Sequence, residues 1–316
     1  MGIVVLAGGV GGSKFLWGLA QEMDPERLTA VVNTGDDLEL HGLRISPDVD
    51  LVTYSLADRV DVDRGWGLAG DTVFCMEALG SYGLPTWFRL GDRDLATHIF
   101  RTDALRQGQR PTQIADAVRR ALGVRARVLP MADDPVVTYI LVGDGAPRYL
   151  HIQEYLVERG AVDEIRGVEY RGSGRARPTP EVLAALAEAE TIFIAPSNPV
   201  AGIGPILAIP GILRRLGEAR APIVVVSPVV GGRSLKGPTD KFLRWANVEV
   251  SPLGVARFYQ SIPGGVQGML IDRADEKQAD AIEALGIRVE VGDIIMRDAE
   301  AKRRVARLAL GLREAL

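Results

Sequence analysis

Residues 2–14, Gly-Ile-Val-Val-Leu-Ala-Gly-Gly-Val-Gly-Gly-Ser-Lys, decide the fold. Ile3 to Ala7 is a short unbroken apolar run, the pattern of a strand buried on both faces. Gly8, Gly9, Gly11 and Gly12 follow as a turn, and the spacing of Phe15, Leu16, Leu19 and Met23 predicts a helix over 13–23. A buried strand that feeds a glycine turn into a helix N-terminus is a ready anion site, because backbone N–H groups and the helix dipole both favour negative charge. Ser13 is placed to cap that helix, and Lys14 to reach a phosphate as a point charge. The glycines match neither the dinucleotide fingerprint nor a Walker A loop. The bland alternative is a tight turn that binds nothing. Four glycines exceed what a turn needs, so phosphate binding is the reading adopted here.

A second buried strand over 28–33 ends in Asn33-Thr34-Gly35-Asp36-Asp37, which places two carboxylates beside the glycine turn. Ligands in open parallel sheets sit beyond the carboxyl ends of strands. A strand over 191–195 runs into Pro196-Ser197-Asn198-Pro199. Another over 223–227 runs into a loop that carries Arg233 and Lys236 as candidate anion ligands. Three such strand ends point to one shared, nucleotide-sized site. A strand over 124–129, a hairpin of 138–142 with 149–152 turning at Gly143-Asp144-Gly145, a loop over 171–178, and later strands over 268–272 and 287–291 complete the pattern, with helices between. The expected architecture is a single α/β domain over 1–316, Rossmann-like, with a mainly parallel sheet and helices on both faces. Residues 50–122 read as a mostly helical insertion or lid over the strand carboxyl ends.

Composition narrows the function. The 316 residues are 47% hydrophobic and 25% charged, with net charge −4. With no block of like charges, that balance argues against a nucleic-acid footprint. No apolar run reaches the roughly 18 residues of a membrane span. The start of the chain has no charged n-region before an apolar segment, and the single cysteine, Cys75, excludes a disulfide within the chain. A cytoplasmic location fits. His41, His98 and His151 are scattered, which argues against zinc. Asp36, Asp37, Asp48 and Asp50 are hard oxygen donors near a phosphate loop and suit Mg²⁺, which takes one or two carboxylates plus phosphate oxygens. No Ser-His-Asp or Cys-His nucleophile stands out, so covalent catalysis has no support.

Longer segments carry a resemblance. The glycine turn, Asn33–Asp37, Ser46-Pro47-Asp48-Val49-Asp50, Leu90-Gly91-Asp92-Arg93-Asp94-Leu95-Ala96-Thr97-His98, Asp133-Asp134-Pro135 and Pro196–Pro199 together resemble the CofD family over essentially the whole chain. Members of that family are 2-phospho-L-lactate transferases of deazaflavin coenzyme (factor 420) biosynthesis. The resemblance implies attack of the ribityl 5′-hydroxyl of a deazaflavin alcohol on a guanylated 2-phospho-acid donor (lactate, enolpyruvate or glycerate), with release of GMP and Mg²⁺ assistance. It implies Asp36 and Asp50 as catalytic residues, Asp36, Asp37 and Asp50 as metal candidates, and Asp50 and Arg89 as deazaflavin contacts. Gly8, Gly9, Gly11, Gly12, Lys14, Ser197 and Asn198 would hold the nucleotide and its phosphates. Arg89 stands where relatives often carry lysine. A homodimer is expected by the same analogy. The alternative is a YvcK-like nucleotide-sugar-binding regulator, which shares the glycine and Asn-Pro loops. The Leu90–His98 motif resembles the transferases and not that regulator.

Overall fold

The computed structural model describes residues 2–143, 146–235 and 237–316; Asp144, Gly145 and Lys236, named above, lie outside them. In chain order, β1 (Gly2–Ala7) leads through α1 (Gly9–Glu22) to β2 (Leu28–Val32). A small hairpin of β3 (Leu38–Leu40) and β4 (Leu43–Ile45) follows. Four helices come next: α2 (Pro47–Leu56), α3 (Phe74–Ser81), α4 (Asp92–Arg106) and α5 (Pro111–Ala121). They lead to β5 (Arg127–Pro130), then to β6 (Val137–Val142), β7 (Arg148–His151) and β8 (Gly167–Arg171). The rest alternates: α6 (Pro180–Ala187), β9 (Ala189–Ile194), α7 (Gly204–Leu207), α8 (Pro210–Gly217) and β10 (Ile223–Val226). A two-residue pair, β11 (Val229–Val230) and β12 (Arg233–Ser234), precedes α9 (Thr239–Trp245) and α10 (Pro252–Tyr259). The chain closes with β13 (Gly268–Asp272), α11 (Ala279–Glu283), β14 (Arg288–Gly292) and α12 (Ala299–Glu314).

Seven strands form one sheet in the order β14-β13-β10-β9-β1-β2-β5, with every neighbouring pair parallel. The cause is legible in the strands themselves. Runs such as Ile223-Val-Val-Val226 are apolar at every position, so both faces must be covered. Alternation along β1 divides the core. Ile3, Val5 and Ala7 pack with residues of α1, α2, α5 and α12, and Val4 and Leu6 with residues of α6, α7, α8 and α10. The chain reverses its direction of winding between β1 and β9, and ligand crevices form at such reversal points in doubly wound sheets.

At that point the structure corrects the reading of the glycine turn. The helix begins at Gly9, four residues earlier than expected, and its N-cap is Gly8. Ser13 caps nothing; its hydroxyl donates to the Val10 carbonyl within the first turn. Three of the glycines are required by packing. A Cβ on Gly11 would overlap the Pro196 carbonyl oxygen, and one on Gly12 would lie 2.8 Å from Ser197 Oγ. One on Gly8 would lie 2.8 Å from Asp48 Oδ2 and 2.9 Å from the Gly202 carbonyl. The loops after β1 and β9 are pressed together, backbone on backbone. Gly9 is there for its backbone, with φ +64° and open space around it.

Three further departures have local causes. His41 and Gly42 both take positive φ, the geometry of a type I′ turn, and close the unforeseen β3–β4 hairpin. The hairpin of β6 and β7 gains a third antiparallel strand, β8, just before the loop expected from residue 171. The segment expected to turn helical at Pro205 does so earlier: a π-turn spans Pro199–Ile203, capped by Asn198 Oδ1 accepting from the N–H groups of Val200 and Ala201. Within 50–122, Val52 of α2 and Ala115 of α5 join the sheet core. Met76 and Leu95, from α3 and α4, instead form a small cluster with Leu38, Ile45 and Leu90. Among the described residues no single helix is long and apolar enough to cross a membrane.

Gly11→Ala is expected to cost about 1–3 kcal/mol, because its methyl group meets a backbone carbonyl that cannot move alone. Gly9→Ala should cost about 1–2 kcal/mol through its left-handed φ alone. Urea midpoints at unchanged slope test both values, and a neutral Gly11→Ala would refute the close packing of the two loops.

Candidate functional site

The site grows out of the turn that ends β2. Asn33, fully buried, hydrogen bonds through its backbone N–H to the Ala7 carbonyl and so continues the sheet by one residue. Its side-chain amide donates to Asp36 Oδ1 at 2.7 Å and to Asp48 Oδ2 at 2.8 Å, and its Oδ1 accepts from the Gly35 N–H at 2.7 Å. Gln153 Nε2 donates to the other oxygen of Asp36 at 2.7 Å. Asp48, in the first turn of α2, sends Oδ1 to the Gly9 N–H at 2.9 Å. The N-terminus of α1 therefore receives a carboxylate from the protein itself. Burial lifts the Asp48 carboxyl to about 6, against hydrogen bonds from Asn33 and Gly9 that hold it down. Burial and the neighbouring Asp48 charge push Asp36 well above the usual carboxylate range.

Asp37 is held differently. Ser46 Oγ donates to its Oδ2 at 2.7 Å, while its Oδ1 is buried with no hydrogen-bond partner. Burial raises its pKa to about 7. His151 lies against the same turn, with Nε2 3.0 Å from the Asp37 carbonyl and Nδ1 accepting from the Gln153 N–H at 3.1 Å. Because the backbone N–H can only donate, Nδ1 is the acceptor and Nε2 carries the proton. His151 thus fixes both the Asp37 backbone and the residue that holds Asp36.

On the other side of the turn, Asp50 is gripped by Arg101. Nη1 donates to Asp50 Oδ2 at 3.0 Å, and Nη2 donates to Oδ1. His98 Nδ1 is 3.2 Å from Arg101 Nη1, and His98 Nε2 is 3.4 Å from Asp94 Oδ2. Tyr54 OH lies 2.7 Å from Asp94 Oδ1. Asp50, Asp94 and His98 offer ligand atoms within 4.8 Å of one another, a spacing that could hold a metal ion. A guanidinium donates only, so Arg101 already uses both oxygens of Asp50 and the lone pair of His98 Nδ1. Asp37 Oδ1 accepts no hydrogen bond and is a second candidate for a hard cation.

Asp37 lines a cavity of about 520 Å³ beyond the carboxyl ends of β2 and β5. Its wall includes Thr34 and Asp37 from the turn, Arg44 and Ser46 before α2, Arg101 from α4 and Ala115 from α5. Thr34 Oγ1, like Asp37 Oδ1, is buried without a partner. Two orphaned oxygens on residues of one cavity wall make that wall the candidate site.

The other sequence candidates lie elsewhere. Gly8, Gly9, Gly11 and Gly12, Ser197, Asn198, Asp36 and Asp50 do not line this cavity. Ser197 Oγ accepts from the Gly8 N–H at 3.1 Å and donates to the Gly8 carbonyl at 2.7 Å, so it clamps the two loops. Lys14 Nζ donates to the Met296 carbonyl at 3.1 Å. Arg89 is exposed in the segment before α4, and Arg233 is exposed on β12. Sequence reasoning missed Thr34, Arg101, Gln153 and Asn33 as site residues. Thr34 and Asn33 stood in the quoted motif. Arg101 and Gln153 meet partners 51 and 117 residues away, a proximity no local pattern carries.

A family model described as 2-phospho-L-lactate transferase CofD matches residues 3–302. The chain belongs to the CofD family. A Streptomyces griseus relative named phosphoenolpyruvate transferase is 42% identical over 316 residues, covering 99% of each chain. A 2-phospho-L-lactate transferase of Methanosarcina mazei is 36% identical over 308 residues, covering 98% of this chain and 99% of its own. A crystal structure from Bacillus halodurans, described as a member of the upf0052 family, matches with TM-score 0.64 at 17% identity over 98% of each chain, a likeness of fold. CofD membership makes this chain a transferase of the 2-phospho-L-lactate transferase family.

Asp37 should make stability pH-dependent in metal-free buffer. Its folded pKa, about 7, lies above the unfolded value near 3.8, so stability falls as pH rises between those limits and levels off above 7. Asp37→Asn removes that loss. Its melting advantage over the parent should be absent near pH 4 and grow towards pH 7, by at most about 1.4 kcal/mol per pH unit. A pH-independent difference would contradict the buried carboxylate.

Proposed function

We propose that this CofD-family chain transfers a phosphoenolpyruvyl unit from a guanosine diphospho-ester to the ribityl 5′-hydroxyl of a deazaflavin alcohol. A bond forms between the ribityl oxygen and the phosphorus that bears the acid, the bond from that phosphorus to GMP breaks, and the hydroxyl proton is released. The observation that carries the reading is the orphaned Asp37 oxygen in the wall of a cavity large enough for a substrate's reacting end. Relatives named phosphoenolpyruvate transferase, from Streptomyces griseus and Mycolicibacterium smegmatis, are 42% and 38% identical to the chain. The Methanosarcina mazei relative, named for the lactate compound, is 36% identical, which favours the enolpyruvyl donor.

Phosphoryl transfer asks the protein for position and charge neutralisation rather than a covalent nucleophile. Asp37 Oδ1 would hold Mg²⁺, with Thr34 Oγ1 beside it, and the bound ion would neutralise charge on the diphosphate. Asp36, with both oxygens hydrogen-bonded by side-chain amides, fixes the turn that carries Asp37. Asp50 orients Arg101. Both aspartates of the proposed catalytic pair thus support residues that reach the cavity.

The test presents purified protein with deazaflavin alcohol and the lactate, enolpyruvate and glycerate donors in turn, following GMP release and product mass. The enolpyruvyl donor should react fastest, and removal of divalent metal should stop turnover. Asp37→Asn should lower kcat at least about 100-fold with folding intact. Thermal stabilisation by a UDP-sugar, without turnover of any donor, would refute the proposal.

A further inference from the structure

Arg101 has more hydrogen-bonding capacity than its protein partners use. A guanidinium carries five N–H groups in a fixed plane. Asp50 takes the end-on edge, through one hydrogen of Nη1 and one of Nη2. The second hydrogen of Nη1 is shared between His98 Nδ1 at 3.2 Å and the Arg44 carbonyl at 3.4 Å. The Nε–H and the outer hydrogen of Nη2 remain, and neither has an acceptor among the described residues. These two form the side-on edge of the guanidinium, a second fork with the spacing of two oxygens of a carboxylate or phosphoryl group. Arg101 is 7% exposed and lines the 520 Å³ cavity. The end-on ion pair with Asp50 locks the plane, so the unused edge is preorganised.

Further cations stand beside the fork. Arg44 and Arg106 line the same cavity. Of its acids, Glu39 lies 4.0 Å from Arg44, Asp133 is engaged by Thr112 and Arg110, and Asp134 accepts from the Arg177 N–H. Asp37, whose Oδ1 is buried without a partner, is a separate locus on the same wall.

We infer that the side-on fork of Arg101 is a bidentate receptor for an oxyanion of the substrate, either the carboxylate of the phospho-acid or the phosphoryl group beside it. This deepens the donor reading above and rests on it for the identity of the ligand. Arg101 would then touch the substrate directly, and Asp50 would be the positioning residue that keeps the fork aimed.

The experiment titrates phosphoenolpyruvate and, separately, inorganic phosphate into the intact chain and into Arg101→Lys, by calorimetry. Lysine keeps the charge facing Asp50 and loses the fork. Phosphoenolpyruvate affinity is expected to fall about tenfold or more in the variant. Loss for phosphoenolpyruvate with phosphate unaffected assigns the fork to the carboxylate, and equal loss for both assigns it to the phosphoryl group. A second measurement, on the parent protein, guards against a folding defect: the Arg101 Nε–H resonance, identified by its disappearance in Arg101→Lys, should shift on adding phosphoenolpyruvate. No binding by the parent, equal affinities in parent and variant, or an unmoved resonance would each overturn the fork. Absence of deazaflavin turnover in a parent that still binds phosphoenolpyruvate through Arg101 would overturn the reaction and leave the fork standing.

Discussion

The structure depends on one carboxamide, that of Asn33. Two carboxylates, Asp36 and Asp48, are buried side by side at the ends of the central strands, and each would be costly there without a donor. The Asn33 amide supplies one hydrogen to each, and its oxygen folds the chain back by accepting from Gly35. Asp48 passes the constraint to the glycine loop through the Gly9 N–H. Asp36 passes it to Gln153 and hence to the small antiparallel sheet. One side chain thus sets the position of α1, of the Thr34–Asp37 turn and of the sheet beside it.

That arrangement occupies the helix N-terminus with a carboxylate of the chain itself. The dipole and first N–H of α1 already face the Asp48 carboxylate, and the glycines around them are filled by the loop after β9. Two of the buried polar groups left without partners, Thr34 Oγ1 and Asp37 Oδ1, lie one turn further on, on residues that line the cavity beyond β2 and β5. Ser197 and Asn198, which in sequence look like ligand groups, act as a clamp and a cap. The strand-end principle still locates the cavity, but at the side of the sheet that carries β2 and β5.

Helix α4 supplies the opposing wall. Its Asp94, His98 and Arg101 follow one another at helical spacing and meet Tyr54 and Asp50 of α2. The long motif that carries the family resemblance is therefore an interface between two helices. Its chemistry reaches the cavity through Arg101, three residues past the end of that motif.

The sequence by itself determined the doubly wound sheet. Near-continuous apolar runs in β1, β2 and β10 admit only strands covered on both faces, and short loops between strands and helices leave a parallel order. It also placed the carboxylates Asp36, Asp37 and Asp50 near strand and helix ends. Hairpin β3–β4 was missed because its strands are three residues long, too short for a period to show. Tertiary structure alone decided which polar groups are used up and which are left open. A carboxylate's availability depends on partners far along the chain: Gln153 for Asp36, Arg101 for Asp50, and none for one oxygen of Asp37. Glycine spacing likewise could not say whether the missing Cβ atoms make room for a phosphate or for Pro196 and Ser197, because that depends on how closely two strand-end loops, some 190 residues apart, approach.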